Sequence, residues 1–375
     1  MNPIFALLWN DRATADETAA RLDDAAWRAL DTQAAQHRLR PLLYRRASEG
    51  GWGIPSDVMC QWQGSYQRSA MRALAQKGAL ARIGRTFGAA GVSAAVLKGG
   101  AFIWSGVLDP ALRPMRDLDV LIRPDDARAA ADLLRSIGYV VDPNDAPSGK
   151  HLPAMTNGKA VVELHLHVFD THDDRAATRE RQFIDRAWMR AVPAEFAGMQ
   201  ALCPTDTLLH LIVHAVLDHQ FNNGPLLLTD MTTLVQRGPI DWALFWDEAE
   251  RIEATRACQL ALAFGQRVSG LAVDWQGHAP ADLGDSQMDQ VARLMMMDTA
   301  YRSAVGWPGQ LLRLPPYRWP AQLAAMVQRR RGEAGETVAQ NSEPGLAAAL
   351  HYATGAEGRS KIADAVRLSL WLRRG

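Results

Sequence analysis

Two short stretches near the middle of the chain alternate apolar and polar residues with the period of a β-strand. Over 117–122 a strand puts Asp117 and Asp119 on one face and Leu118, Val120 and Ile122 on the other. Over 161–167 it puts Glu163, His165 and His167 on one face, with Val162, Leu164 and Leu166 behind. A short buried strand is expected over 93–97, where Gly99-Gly100 turns the chain into a helix running to about Val107. Another strand is expected at 139–141, followed by a loop over 144–150. Asn157-Gly158 is a strong turn pair, and it predicts a hairpin between 151–156 and 160–168.

Helical periodicity surrounds these strands. Residues 15–90 are rich in Ala, Arg, Leu and Gln and carry apolar residues at helical spacing, with a break at 50–55. Pro124-Asp125-Asp126 starts a helix that Gly138 ends. Further helices are expected over 206–218, 226–236, 242–252, 255–268 and 361–372, with a Pro-rich irregular segment at 311–319. The fold class is therefore α+β: a small mixed β-sheet core over 91–195, flanked by helical regions over 1–90 and 196–375.

Composition changes this picture little. At 375 residues the chain is long for a single domain, and 48% hydrophobic with 22% charged residues is ordinary for a globular protein. Lys+Arg and Asp+Glu both total 41, so no global positive field favours nucleic acid. The basic runs Arg329-Arg330-Arg331 and Arg373-Arg374 read as solvated surface or tail. Cys60, Cys203 and Cys258 are isolated, with neither metal-ligand spacing nor a disulfide framework, which suits a reducing compartment. The apolar start, 1–9, lacks a basic leader, and no apolar run nears the roughly 20 residues of a membrane span. A cytoplasmic location and no membrane partner are expected.

Chemistry changes it more. If the two alternating strands are neighbours, Asp117, Asp119 and Glu163 converge. Three clustered carboxylates are hard to keep ionised without a counter-charge, and a hard divalent cation with oxygen ligands is the common answer. Gly99-Gly100, just upstream, offers bare backbone that a phosphate can approach.

This order of motifs resembles the nucleotidyltransferase superfamily with the polymerase beta-like fold. More narrowly, it is similar to a bacterial family of largely uncharacterised nucleotidyltransferases with a Leu-Lys-Gly turn, an Arg close before Asp-x-Asp, and a Glu-Leu-His strand. The motifs span roughly 90–170, and the 101–116 segment is longer than the compact superfamily pattern. The resemblance implies transfer of a nucleoside monophosphate from an NTP to an acceptor hydroxyl or phosphate, releasing pyrophosphate. Asp117, Asp119 and Glu163 would be the catalytic and metal-binding carboxylates, with magnesium or manganese as the cofactor and ATP-type binding at the glycine turn. A small molecule, peptide or protein acceptor is expected over RNA. Two alternatives stand beside this reading: an RNA-end-modifying or toxin-like transferase, and a catalytically silent nucleotide-binding module.

The surrounding residues leave choices open. Gly99 and Gly100 meet phosphates or form a plain turn. Lys98 adds charge to the phosphate site or is a solvated strand-end lysine. Of Arg113 and Arg116, one binds phosphate and the other pairs with a neighbouring acid. His165 orients Glu163, touches phosphate, acts as a base or is simply structural. His210 and His214 share a helix face, with His219 close behind; helix packing or pocket lining is expected over a zinc site. The family resemblance turns His214 and Asp230 toward the cleft. Trp104 reads as core or as a nucleobase platform. The acceptor, the base and the oligomeric state are not legible.

Overall fold

The computed structural model describes residues 2–106, 108–142, 149–171, 173–194, 198–301, 320 and 351–373, without the side chains of 103–105 and 300. Expectations for Val107, the Trp104 side chain, most of the 144–150 loop, the 311–319 segment, Arg329-Arg330-Arg331 and Arg374 lie outside the described residues.

Five helices open the chain: α1 (Pro3–Trp9), α2 (Arg12–Ala20), α3 (Asp24–Gln36), α4 (Arg40–Gly50) and α5 (Ser56–Ala89). Local chemistry sets their starts, since Asn2, Asp11 and Asp23 each accept a hydrogen bond from a first-turn N–H. The 34-residue α5 carries Trp62, Ser69, Ala73, Gln76, Leu80, Ile83 and Phe87 on its buried side, at the three- and four-residue spacing of one helix face.

The sheet comprises β1 (Ala94–Val96), β2 (Leu118–Ile122), β3 (Val140–Val141), β4 (Met155–Thr156), β5 (Val161–His165), β6 (Val192–Pro193) and β7 (Gln200–Ala201). Their order is β3-β4-β5-β2-β1-β7-β6, mixed in direction. The parallel pairs are β2 with β5 and β1 with β7; the other neighbours run antiparallel. The Asn157-Gly158 hairpin forms as the turn residues dictate, with Gly158 at φ 77° and Asn157 Oδ1 accepting from Lys159 N and Ala160 N. Helices α6 (Lys98–Ser105), α7 (Ala127–Ser136) and α8 (Asp174–Arg190) are interleaved with the strands. Helices α9 (Pro204–Val213), α10 (Leu226–Arg237), α11 (Trp242–Arg251), α12 (Thr255–Ser269), α13 (Asp285–Met295) and α14 (Ala356–Leu372) follow.

Both faces of the central strands are covered, and alternation decides which residue meets which layer. Ala94, Val96, Leu118, Val120, Ile122, Val162 and Leu164 face α5 and α7 in one core. Ala95, Leu97 and Leu121 face the C-terminal helices in another. Asp119, Glu163 and His165 occur on this second face, with His165 beside the core residue Leu121. The helical flanks are not separate layers at the two chain ends. Phe5 of α1 is buried in the C-terminal core, and Leu226 of α10 in the N-terminal one.

Four elements carry no clear mark in the sequence. Helix α8 is nearly half charged, β6 and β7 have two residues each, and α13 lies among short polar runs. The strand expected over 160–168 ends at His165.

Leu164 is 1% exposed and sits in the α5–α7 core. Leu164→Ala is expected to cost about 2–5 kcal/mol in urea unfolding, through lost transfer energy and an unfilled cavity. Val140→Thr, at a position 62% exposed, is expected to stay within about 0.5 kcal/mol of the parent.

Candidate active site

The parallel register places Asp119 beside Glu163 and Leu121 beside His165. Asp119 is 7% exposed, so its charge depends on partners. Lys98 Nζ donates to Asp119 Oδ1 at 2.9 Å, and His165 Nε2 donates to the same oxygen at 2.7 Å. His165 Nε2 is also 3.4 Å from Glu163 Oε2, and His151 Nε2 lies 3.7 Å from that oxygen. Burial opposes the charge on Asp119, but the Lys98 ammonium and the His165 bond outweigh it and hold this carboxyl well below its usual range. Glu163 is likewise lowered: burial resists its ionisation, and the His165 bond with nearby His151 overcomes that resistance. Burial lowers the proton affinity of His165, but its bonds to Asp119 and Glu163 raise it overall. Its other nitrogen, Nδ1, is 3.3 Å from the His167 carbonyl oxygen, so both ring nitrogens face acceptors.

Asp117 differs. Burial and the charges of Asp119 and Glu163 push it up to about 6, against the pull of Lys98 and Arg38. The acidic cluster is thus short of positive charge at Asp117. One ligand atom each from Asp119, Glu163 and His165 lies within 4.8 Å of the others. Two carboxylates and one imidazole, next to a third carboxyl whose charge is poorly met, are a donor set that could hold a metal ion.

Lys98 reaches Asp119 from a backbone at φ 48°, the left-handed region that side-chain-bearing residues rarely adopt. Six non-glycine residues among those described share this sign. Four of them, Arg38, Lys98, Gln220 and Phe221, line the cleft or lead into its Asn223-Gly224 wall. The glycine pair divides its roles. Gly99 lines the cleft, where a Cβ would collide with the Met115 sulfur, whereas Gly100 is turned to the sheet, where a Cβ would meet Val96 Cγ1 at 2.5 Å.

The cleft also takes Arg113, Met115, Arg116, Asp117 and Asp119 on the sheet side, with Leu211, His214, Asn223, Leu226, Leu227 and Asp230 opposite. The 101–116 segment delivers the arginines. It docks on α5, with the Tyr66 hydroxyl donating to Asp109 Oδ2 at 2.6 Å, and passes through a 3-10 turn, Pro110–Leu112, capped by Asp109. Arg113 grips Asp230 of α10 with two bonds, Nε to Oδ1 at 2.7 Å and Nη2 to Oδ2 at 2.8 Å. Arg116 is exposed at the cleft. His167 leaves the group because β5 has ended; its Nδ1 meets Glu180 Oε2 at 2.8 Å.

Sequence reasoning missed Arg38, His151 and Asn223. His151 was within reach: the Asn157-Gly158 hairpin sets it across from His165. Also unforeseen is the π-helical turn His214–Asp218 that continues α9, a deviation common at functional sites. His214 Nδ1 lies 3.3 Å from Asp218 Oδ2, which also accepts from Lys150 Nζ at 2.9 Å. His210 is 1% exposed and neither ring nitrogen has a hydrogen-bond partner. Burial, aided by the Lys98 charge, pushes His210 down to about 3 and His214 well below its normal value. Burial brings His219 to about 4. Among the described residues these three histidines do not form a metal-ligating group. They make a neutral wall beside a charged cluster.

A family model described as uncharacterised nucleotidyltransferase matches residues 23–270. No curated protein and no solved structure matches the chain.

Two predictions follow from this geometry. Asp230 is 1% exposed, so Arg113→Met should cost about 3–5 kcal/mol in chemical denaturation by stranding its charge, and adding Asp230→Leu should recover much of that loss. The neutral histidines bind protons only on unfolding, so they cost stability as pH falls through about 6.5 toward 4. Asp117, raised in the fold, works in the opposite sense below about 6. His210→Leu should therefore gain about 2 kcal/mol over the parent between pH 7 and pH 5, read from urea curves at both values.

Proposed function

The chain belongs to this family of nucleotidyltransferases, and from that premise we propose that it moves a nucleoside monophosphate from an NTP to an acceptor in the cleft above Asp119. Asp117, Asp119 and Glu163 would hold magnesium or manganese, hard cations that oxygen donors suit; of the three, Asp119 and Glu163 lie with His165 in one group able to ligate a metal. When bound, such a cation neutralises the triphosphate and the oxygens of an in-line displacement. The observation that carries the reading is the β2–β5 register, which puts two carboxylates side by side beneath Lys98 and next to His165.

The chain's own residues have distinct tasks. Lys98 and the first N–H groups of α6 receive the phosphates; Leu97, before that helix, makes no side-chain cap to occupy them. Gly99 keeps this approach free of side chain. His165 is a positioning residue that fixes the Asp119 and Glu163 carboxylates. Arg113, committed to Asp230, orients the α10 wall, while Arg116 is placed to meet phosphate from the open side. An acceptor oxygen attacks the α-phosphorus, forming a new P–O bond as the bond to the bridging oxygen breaks. Pyrophosphate leaves with that electron pair, and the acceptor's proton passes to a carboxylate of the cluster.

Calorimetry with each of the four NTPs, with and without Mg²⁺ or Mn²⁺, tests this. Metal-dependent binding by the parent, lost in Asp117→Ala/Asp119→Ala, is the expected result. Binding that survives the double substitution unchanged would remove these carboxylates from the site.

A further inference from the structure

A second groove opens beside the cleft and shares Arg38 with it. Four arginines line this groove, Arg38, Arg40, Arg68 and Arg72, and among the described residues no carboxylate does. Arg40 is neutralised by Asp31, which takes two bonds from it at 2.7 and 2.6 Å. Arg68 and Arg72 are exposed, one helical turn apart on α5. Arg38 donates to the Pro114 carbonyl at 3.5 Å, at the rim between groove and cleft, and its charge is felt by Asp117.

The charge is not confined to the groove. From Val58 to the end of α5 there is no Asp or Glu, while Arg68, Arg72, Lys77, Arg82 and Arg85 are all basic. In a chain with 41 residues of each sign, that run concentrates positive field along one helix.

We propose that this groove binds the phosphodiester backbone of a single-stranded nucleic acid, and, resting on the nucleotidyl-transfer reading above, that this strand is the acceptor. Guanidinium forks match phosphate oxygens. Arg68 and Arg72 line the groove and Arg38 stands at its rim with the cleft, so the three form a track that ends beside Asp117. A small neutral acceptor needs no such track.

The test uses the full chain and a fluorescein-labelled single-stranded RNA of about 12 nucleotides, followed by anisotropy from low to high salt. The parent should bind with strong salt dependence. Arg68→Glu/Arg72→Glu should weaken binding about tenfold and flatten the log–log salt slope by about 1.4, since each phosphate contact contributes about 0.7 for single strands. Arg82→Glu/Arg85→Glu, on α5 but off the groove, should cost clearly less. NTP calorimetry on Arg68→Glu/Arg72→Glu should match the parent, which separates this proposal from the nucleotide site. No RNA binding by a parent that binds NTP would overturn it, as would equal losses in the two double variants. Competition by poly-glutamate as effective as unlabelled RNA would also overturn it and assign the groove to acidic peptides. If the parent binds RNA through the groove but no NTP, the groove stands and the transfer reading fails.

Discussion

The burial of Asp119 is the constraint on which the rest of the site depends. A carboxylate 7% exposed at the centre of a mixed sheet is tolerable only if its charge is met at close range. Lys98 and His165 meet it, and each carries a structural consequence. Lys98 has to come from a left-handed backbone at the start of α6, which fixes the turn after β1. His165 has to sit on β5 in parallel register with β2, which brings Glu163 alongside. The turn, the register and the carboxylate pair are therefore one coupled arrangement.

The surroundings divide into a wet, charged side and a dry, neutral one. His210, His214 and His219 are kept unprotonated by burial, so the α9 wall adds little positive charge of its own. This low-dielectric wall strengthens the fields of the charges it faces. The Arg113–Asp230 fork ties the neighbouring α10 wall to the sheet side across the cleft, so the cleft's width is held by a buried ion pair instead of by loop conformation. On the other flank, the α5 arginines extend positive charge away from the acidic cluster. A chain neutral overall is thus strongly polarised around one cleft.

The residues of the acidic strands were legible in the sequence because alternation is local. A strand turns successive side chains to opposite faces whatever its neighbours are, so Asp117, Asp119, Glu163 and His165 could be grouped before any packing was known. The same local logic gave the Asn157-Gly158 turn and the long helix through residues 56–89. It failed at His167, where the chain stops being a strand, and at β6 and β7, where two residues hold no period. Helix α8 escaped notice because its charged residues dilute the apolar stripe.

By itself, the sequence determined which residues share a face, where the turns fall, and the order of glycine turn, Asp-x-Asp and Glu strand. The partners were decided by the tertiary structure alone. Arg113 and Asp230 are 117 residues apart, and nothing local distinguishes an arginine that will bind a carboxylate from one left at the cleft. Arg38 stands at the cleft's rim because the 101–116 segment brings the Pro114 carbonyl to it. The net charge of the whole chain concealed the acid-free run of basic residues on α5, because a sum over residues is blind to where folding puts them. Side-chain alternation is fixed by covalent geometry, whereas ion pairing and electrostatic field depend on distances that only the closed chain sets.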